Sequence, residues 1–405
     1  MFRSPKPIMS ERNIILNPYL SLESFKNQNQ KDCLRFSSPV RSVGVRILEF
    51  DSEDQPSLYE LFTELNQTSL NFLDVDEDLT DADKALLMAN GILVHPDKVP
   101  QIPVFACFLD ETLVANQIPV ETDLVVNESF RYDKSQDFET VIKRRRYGFE
   151  ARQPIVWVTD PKTKVNFPYW LSGELPEIAE NLKAGEQPMI RLTDHQRAFL
   201  RQAEILIRSD STVYSNWRQD LEAAAAHFQK EKYTVVRGIL PSAQLAAIQK
   251  YFKELRRAGF MLFNDSQVSL RHAIHNDALS IYFHEQLAPL VSRVVGEPVK
   301  PSYVYSATYV EDAVLEAHTD RPQCEFTMSM QIGYEPELET GEVSPWALCL
   351  DDLRENRIET YLANGDALIY KGCELVHYRD ALFKKHQSTS VFFHFVPENF
   401  DGPLD

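Results

Sequence analysis

Short apolar runs with a two-residue period fill the C-terminal part of the chain. Side chains of an extended chain alternate between two faces, so such runs predict strands that bury one face. The predicted strands are residues 302–310, 325–333, 346–350, 357–361, 366–370, 374–379 and 388–396. Short, closely spaced strands that follow helices predict an α+β protein with a β-sandwich or jelly roll that carries helices on one side.

Helical periodicity precedes these strands, from residue 194 to residue 230. The stretch YTVVRGILPSAQLAAIQKYFKELRRAG then predicts a short β-branched strand, a turn at Gly238 and an amphipathic helix capped by Ser242. Another helix is predicted over LSIYFHEQLAPLVSRVVG.

The N-terminal part of the chain has a different pattern. Residues 1–40 are expected to be irregular, and VGVRILEF, residues 43–50, predicts a strand. Ser57 and Glu60 have the spacing of a capping box, and Thr80 and Asp83 repeat it before a second apolar helix. Asn90-Gly91 ends that helix, and a strand is predicted at 92–94.

These patterns divide the chain into four predicted parts. Residues 1–40 form an irregular segment, and 41–135 form a small α/β accessory domain. Residues 136–190, rich in proline and turn residues, form a linker with connecting strands, and 191–405 form the jelly-roll domain.

Composition and charge exclude several classes of protein. The 42 Lys and Arg residues against 60 Asp and Glu residues give a net charge of −18, which disfavours a nucleic-acid partner. The basic run at 143–146 is expected to be a solvated linker, with contact to a phosphate or an acidic peptide as the alternative. Five scattered cysteines without a CxxC pair, no signal-peptide pattern and no apolar run long enough for a membrane span predict a cytoplasmic protein.

The tripeptide His318-Thr319-Asp320 is the first candidate for chemistry. It lies between two strand-like stretches, and residues i and i+2 of an extended chain point to the same side. His275-Asn276-Asp277 has the same spacing, but it precedes a predicted helix, and residues i and i+2 of a helix do not share a face. We therefore expect His318 and Asp320, and not the second pair, to bind a metal.

A third ligand is expected from a later strand. His377 follows the apolar stretch in NGDALIYKGCELVH, with a turn at Gly372. His386 lies in a charged turn and is expected to be exposed, whereas His394 is expected in the core or behind the ligands. Two histidines and one carboxylate form a facial triad, which suits Fe(II) and leaves coordination positions open.

Residues 230–396 resemble the Fe(II)/2-oxoglutarate-dependent dioxygenases of the prolyl-hydroxylase-like and phytanoyl-CoA-hydroxylase-like group. YTVVRGILP, Tyr309 nine residues before HTD, TMSMQIGY, and NGDALIYKGCELVH occur in that family's order. The resemblance implies a double-stranded β-helix in which His318, Asp320 and His377 bind Fe(II), with 2-oxoglutarate and O2 as cosubstrates. It further implies a hydroxylase that yields succinate and CO2; because Asp320 is present, halogenation is disfavoured.

The family usually binds the far carboxylate of 2-oxoglutarate with a cation about ten residues after the second histidine, but Gln387 stands there. Arg379 is two residues after His377 and should face the same side. We expect Arg379 to anchor this carboxylate, with hydroxyl donation from Tyr309 and Tyr305. The alternative is an Arg379 that pairs with Asp380.

Other positions leave alternatives open. Arg321, Gln323, Glu325, Thr327, Ser329 and Gln331 line the cavity or form the outer face of their strand. Parity with Asp320 favours Met328 and Met330 inside, unless a bend at Cys324-Glu325 resets it. Trp346 is expected in the core, and Asn364-Gly365-Asp366 is expected to form a turn.

The order of elements in residues 40–130 resembles a winged-helix module, among which are peptide-recognition elements related to the PqqD family. It implies that the accessory domain selects a peptide substrate or mediates homodimerisation. Substrates compatible with the site are small molecules and peptide side chains. The alternatives to a 2-oxoglutarate oxygenase are a cupin-like metal enzyme, a protein that binds a metal or a small acid without catalysis, and a structural protein.

Overall fold

The computed structural model describes residues 14–17, 21–27, 29–40, 44–67, 79–95, 102–109, 123–134, 148–150, 154–208, 212–265 and 267–404. The basic run at 143–146 lies outside these residues. The chain divides into two compact units, residues 1–102 and 103–405, and each is described by itself. This boundary differs from the predicted ones at 135/136 and 190/191.

The first unit is a small α/β structure. Its elements are β1 (Ile15–Leu16), β2 (Ser21–Lys26), β3 (Asp32–Val40), β4 (Gly44–Asp51), α1 (Pro56–Gln67), α2 (Asp81–Ala89) and β5 (Leu93–Val94). Strands β2, β3 and β4 form an antiparallel sheet, and β1 pairs with β5. Phe36, Phe50 and Phe62 are in ring contact in its core, which holds α1 against the sheet.

The predicted order of strand, helix, helix and strand is present as β4, α1, α2 and β5. Thr80 and Asp83 form the predicted capping box at the start of α2. The prediction that residues 1–40 are irregular is wrong for β2 and β3. In β3, Cys33, Leu34 and Phe36 are buried among polar neighbours, and the strand is completed by pairing with β2 and with β4, which follows it in the chain.

The first part of the second unit spans the end of the predicted accessory domain, the predicted linker at 136–190 and the start of the predicted jelly-roll domain. It contains β6 (Phe108–Leu109), β7 (Leu124–Val126), β8 (Arg131–Asp133), β9 (Ile155–Thr159), β10 (Asn166–Leu171), α3 (Leu175–Glu180), α4 (Asp194–Gln202) and β11 (Leu206–Arg208). Four strands form a sheet in the order β6-β10-β9-β8, and β7 pairs with β11. The predicted connecting strands are therefore present, with Trp157 and Trp170 buried in this sheet.

The remaining elements form the C-terminal part of the same unit. They are α5 (Thr212–Glu231), β12 (Tyr233–Val236), α6 (Ser242–Arg257), β13 (Leu262–Phe263), β14 (Arg271–His275), α7 (Ala278–Val295), β15 (Val299–Val310), β16 (Leu315–His318), β17 (Phe326–Glu335), β18 (Leu348–Asp351), β19 (Arg357–Thr360), β20 (Ala367–Tyr370), β21 (His377–Arg379) and β22 (Gln387–Pro397). All seven strands predicted from the alternation are found, with shifted ends. Ser242 is the first residue of α6 and forms no cap, contrary to expectation.

Two antiparallel sheets form the predicted jelly roll. One has the order β12-β20-β17-β22-β15-β14-β13, and the other has the order β16-β21-β18-β19. From β15 onward the chain passes back and forth between them, with the hairpin β18-β19 in the smaller sheet, so each sheet receives four of the last eight strands. Apolar clusters that join Tyr309 to Leu315, and Leu368 to Leu350, hold the two sheets together.

Helices α6 and α7 pack on the outer face of the seven-stranded sheet. A small apolar space there is lined by Ile248 of α6, Phe283 of α7 and Met330 of β17. Met330 therefore faces outward, and of the two alternatives left open by the sequence, the bend that resets parity with Asp320 is the one found. A 3₁₀ turn at Pro322–Cys324 resets the alternation, so that Thr327 of β17 lies against Asp320. In the described part of the chain, no helix is long and apolar enough to cross a bilayer.

Candidate metal centre and cosubstrate pocket

His318 and His377 occupy opposed positions on neighbouring strands. His318 ends β16, His377 begins β21, and the two are partners in the antiparallel register. Asp320 follows β16 by two residues, and its Oδ1 lies 3.7 Å from Nε2 of His318 and 3.5 Å from Nε2 of His377. The structure therefore brings together the three predicted ligands, with their ligand atoms within 4.8 Å of one another.

The backbone orients both imidazoles. Nδ1 of His318 lies 2.8 Å from the carbonyl oxygen of Glu316, and Nδ1 of His377 lies 3.0 Å from that of Leu375. A carbonyl accepts but does not donate, so each Nδ1 carries the proton. Each Nε2 then presents its lone pair beside Asp320, which is the tautomer that a metal ligand needs.

Close packing around Gly372 holds Asp320 in place. The backbone N–H of Asp320 donates to the carbonyl oxygen of Gly372 at 2.8 Å, and Oδ2 accepts from Oγ1 of Thr327 at 2.9 Å. A Cβ atom at position 372 would lie 2.4 Å from Oδ2 of Asp320 and 2.5 Å from the carbonyl oxygen of Cys324. Only glycine fits there.

Electrostatics favour a cation at this site. Burial lowers the pKa of His318, and the neighbouring His377 adds to the effect. Burial opposes ionisation of Asp320, but the neighbouring His377 and the hydroxyl of Thr327 lower the pKa of the carboxyl to about 2. At neutral pH the site thus offers one carboxylate and a neutral His318.

The second H-x-D pair forms no such group among the described residues. His275 ends β14, and Asp277 caps α7 by accepting from the backbone N–H of Ser280 at 3.1 Å. Oδ2 of Asp277 also accepts from Oγ of Ser306 at 3.0 Å. The Asp277 carboxylate is therefore used to cap the helix and to bind Ser306. The pair lies just before the helix, so the argument from helical faces does not apply to it.

A cavity of about 430 Å³ opens beside the three ligands. Its polar and aromatic lining includes Tyr303, Tyr305, Tyr309, Arg271, Arg321 and His394. A cavity of this volume accommodates a small dicarboxylate and part of a second molecule.

Arg379 is a buried cation near this cavity. Its side chain is 2% exposed, its Nη1 donates to the carbonyl oxygen of Trp346 at 3.3 Å, and its Nε has no hydrogen-bond partner. In the described part of the chain, no carboxylate forms an ion pair with it. The alternative partner, Asp380, pairs with Arg357 instead. Burial lowers the pKa of Arg379, and an anion would offset that cost.

Tyr309 connects Arg379 to the cavity. Its ring centroid lies 5.9 Å from the guanidinium carbon of Arg379, and its hydroxyl accepts from Nη1 of Arg271 at 3.0 Å. The hydroxyl proton of Tyr309 is thus free to point toward a ligand. Tyr305 differs, because its hydroxyl donates to Asp265 at 2.9 Å.

Arg271 and its neighbours were missed by the sequence reasoning. Arg271 donates to Asp265, Gln267 and Tyr309, and Nε2 of Gln267 lies 3.0 Å from Nε2 of His318. These residues precede or begin β14, far from HTD in the chain. No local spacing signals them, since only the pairing of β14 with β15 brings them to the cavity.

The other candidate residues take structural positions. Burial lowers the pKa of His394 to about 4, so it is neutral in the core, as expected. His386 is half-buried, not exposed, and its Nδ1 lies 2.8 Å from the hydroxyl of Tyr334. Trp346 is in the core, and Asp366 closes a turn through the backbone N–H of Ala363.

Comparisons with known proteins give similarities of structure alone. No family model matches the sequence, and no curated protein does. The chain is similar to the epimerase SnoN in complex with Fe3+, alpha ketoglutarate and nogalamycin RO, with 13% identity, a TM-score of 0.38, and coverage of 46% of this chain and 88% of that chain.

Two further solved structures are similar over the same share of the chain. A Pseudomonas putida prolyl-4-hydroxylase has 13% identity and a TM-score of 0.36, with 44% of this chain and 100% of that chain covered. An oxidoreductase of the 2OG-Fe(II) oxygenase family from Burkholderia pseudomallei has 11% identity and a TM-score of 0.36, with 45% and 92% covered. These similar structures include Fe(II)/2-oxoglutarate oxygenases, the group that residues 230–396 resemble. Because these TM-scores are low, we base the proposals below on the geometry of the site.

Proposed function

We propose that the protein is an Fe(II)- and 2-oxoglutarate-dependent oxygenase that hydroxylates an unactivated C–H bond of a small molecule or a peptide side chain. The observation that carries this proposal is that the jelly roll contains both a candidate metal site and a buried cation. A three-ligand group that suits Fe(II) borders the cavity. Arg379, a buried arginine that forms no ion pair with the described residues, lies on the same strand as His377.

The ligand set fits Fe(II) better than a structural zinc ion. Structural zinc sites close four positions, usually with thiolates, whereas His318, Asp320 and His377 provide three nitrogen and oxygen ligands beside an open cavity. Bound Fe(II) with 2-oxoglutarate and O2 supplies the chemistry R–H + 2-oxoglutarate + O2 → R–OH + succinate + CO2.

The chain's own residues orient the cosubstrate. Arg379 would bind the far carboxylate through its guanidinium, whose Nε has no hydrogen-bond partner among the residues that the structure describes. Tyr309 donates its hydroxyl proton to the same carboxylate, since Arg271 occupies its lone pair. Tyr305 takes part indirectly, because it holds Asp265 against Arg271. The apolar wall of Leu315, Leu348 and Phe392 excludes water from the reacting bond.

The first unit serves substrate choice or assembly in this proposal. Its sheet and two helices support a winged-helix-like module that binds a peptide or joins two copies of the chain. We place the protein in the cytoplasm, because its five cysteines are scattered without a CxxC pair, a pattern that fits a reducing compartment.

Anaerobic addition of Fe(II) and 2-oxoglutarate to the full chain tests the proposal. Chelation of the keto acid produces a weak visible charge-transfer band, and admission of air then yields succinate. Metal binding without this band would contradict the proposal. Turnover of a substrate without 2-oxoglutarate would identify a cupin-like metal enzyme instead.

A further inference from the structure

We propose that Thr327 and His394 act together as positioning residues for Asp320. They hold its Oδ2, so that Oδ1 alone faces the metal. This inference rests on the metal site of the proposed function, and it goes beyond it by assigning a role to two residues that bind neither metal nor cosubstrate.

The direction of each hydrogen bond follows from the partners. Oγ1 of Thr327 donates its proton to Oδ2 of Asp320 at 2.9 Å, since a carboxylate accepts and cannot donate. Nδ1 of His394 lies 3.0 Å from the same Oγ1. Because the hydroxyl proton is already used, His394 must donate through Nδ1–H. The chain of donors therefore runs from His394 through Thr327 to Asp320.

The jelly roll makes this chain rigid. Thr327 of β17 and His394 of β22 are opposed partners in the centre of the seven-stranded sheet, and both are buried. The ring of His394 also lies against that of Tyr303, with 4.5 Å between the centroids. Asp320, by contrast, lies on the connection that follows β16. This chain of hydrogen bonds, called the relay below, thus ties Asp320, which lies outside the strands, to the centre of a rigid sheet.

The number of Asp320 oxygens that bind the metal decides how many coordination positions remain open for the cosubstrates. Three ligand atoms on an octahedral ion leave three positions, which 2-oxoglutarate and O2 together require. A carboxylate released from Thr327 can rotate and bind through both oxygens, which removes one of these positions. The relay therefore favours metal binding and keeps space for the cosubstrates.

A different role for His394 makes a contrasting prediction. Asp320, Cys324 and His394 also bring ligand atoms within 4.8 Å of one another. If His394 were a metal ligand, every substitution that removes its imidazole would weaken metal binding. If His394 acts through Nδ1–H, an asparagine amide at that place preserves the donor.

Titration of the full chain with Co(II) alone, followed by visible absorption, tests the inference. We expect Thr327→Val to weaken Co(II) affinity by about 10- to 100-fold, the usual loss for an outer hydrogen bond of a metal ligand. Thr327→Ser keeps the hydroxyl and should bind nearly as the wild type does. His394→Asn should also stay near the wild type, whereas His394→Leu should resemble Thr327→Val. Thr389→Val is the matched control, because Thr389 is a β22 threonine whose hydroxyl pairs with Thr308, outside the metal cavity.

The outcomes distinguish a failure of this inference from a failure of the proposed function. Equal affinity of wild type and Thr327→Val would overturn the relay while leaving the metal site in place. No Co(II) binding by the wild type would overturn both. An equal loss in His394→Asn and His394→Leu would show that the Nδ1 donor has no role. Melting temperatures identify a variant that does not fold, and the serine and asparagine variants then decide the question.

Discussion

The guanidinium carbon of Arg379 lies 4.4 Å from the ring centroid of Trp346. The indole face offsets part of the cost of burying a cation, and the backbone carbonyl of Trp346 accepts from Nη1. These two contacts explain how Arg379 stays inside the barrel without a carboxylate partner in the described part of the chain. They hold the guanidinium in place for an anion that comes from outside the protein.

Substitution of Arg379→Ala should raise the KM for 2-oxoglutarate by about 10- to 100-fold, the equivalent of one strong charge-assisted hydrogen-bonded pair. Fe(II) affinity should change little, because Arg379 contacts none of the three metal ligands in the structure. Arg379→Lys should recover part of the loss, since it keeps the charge without the planar fork. Succinate formation against 2-oxoglutarate concentration measures this.

The control for this experiment is Arg357→Ala. Arg357 is exposed, and it pairs with Asp380 at the surface. It should leave the KM unchanged. An unchanged KM in Arg379→Ala would remove Arg379 from the anchoring role.

His318→Ala and His377→Ala should each abolish stoichiometric Fe(II) binding. Each loses a directly coordinating nitrogen, so the fall in affinity should exceed the roughly 10- to 100-fold that an outer hydrogen bond contributes. Isothermal titration of the metal into the apo protein measures it. His195→Ala on the surface of α4 is the control. Retention of one equivalent of tightly bound iron in either ligand variant would refute the assignment of the triad.

Gly372→Ala should lose metal affinity together with thermal stability. The added methyl group would lie 2.4 Å from Oδ2 of Asp320, so the ligand must move. Gly333→Ala is the control, because a Cβ there would meet only ordinary contacts, the nearest being 3.6 Å away on the side chain of Gln249. Metal titration and a melting curve of both variants suffice. A Gly372→Ala protein that binds metal as the wild type does would show that the connection after β16 can shift freely.

Glu204 should make the stability of the second unit depend on pH. Burial raises the pKa of its carboxyl to about 8, and the charge of Asp160 adds to the effect. The folded state therefore holds a proton that the unfolded state has released above its pKa near 4.5. Stability must then fall as the pH rises from about 4.5 toward 8, because the folded state binds more protons in that window.

Melting curves of wild type and Glu204→Gln at pH 5, 7 and 9 test this dependence. The stability of the variant should not show this part of the fall with pH. Its melting temperature should exceed that of the wild type most at pH 9. A stability difference of about 1 kcal/mol corresponds to roughly 2–4 °C in larger domains. Parallel curves for the two proteins would rule out a proton on Glu204. Lys162, 3.8 Å from Glu204, stays unchanged in both.

Local patterns allowed the strands and the metal ligands to be predicted. The two-residue period of β15, β17, β20 and β22 identified strands that are central in the seven-stranded sheet. The alternation of an extended chain predicted that His318 and Asp320 point to one side, and Nε2 of His318 lies 3.7 Å from Oδ1 of Asp320, just after β16 ends. His377 could be found because it follows β20 by one turn. Each of these inferences depends on residues close together in the chain.

The supporting residues depended on pairing between distant segments. Thr327 could not be placed beside Asp320 by counting, because the turn at Pro322–Cys324 changes the parity. Arg271 reaches Tyr309 only through the pairing of β14 with β15. The N-terminal strands β2 and β3 were missed for a similar reason, since β3 pairs both with β2 and with β4, which follows it in the chain.

The sequence by itself determined the period of each strand, and with it the residue types that could share a face as metal ligands. Alternation in an extended chain is a local property of backbone geometry, so it can be read without the fold. The tertiary structure alone decided that Nε2 of His318 and Nε2 of His377 converge on one oxygen of Asp320, with Thr327 on the other. It also buried Arg379 where none of the described carboxylates forms an ion pair with it. Both results depend on strand register and sheet packing, which join residues that are far apart in the chain.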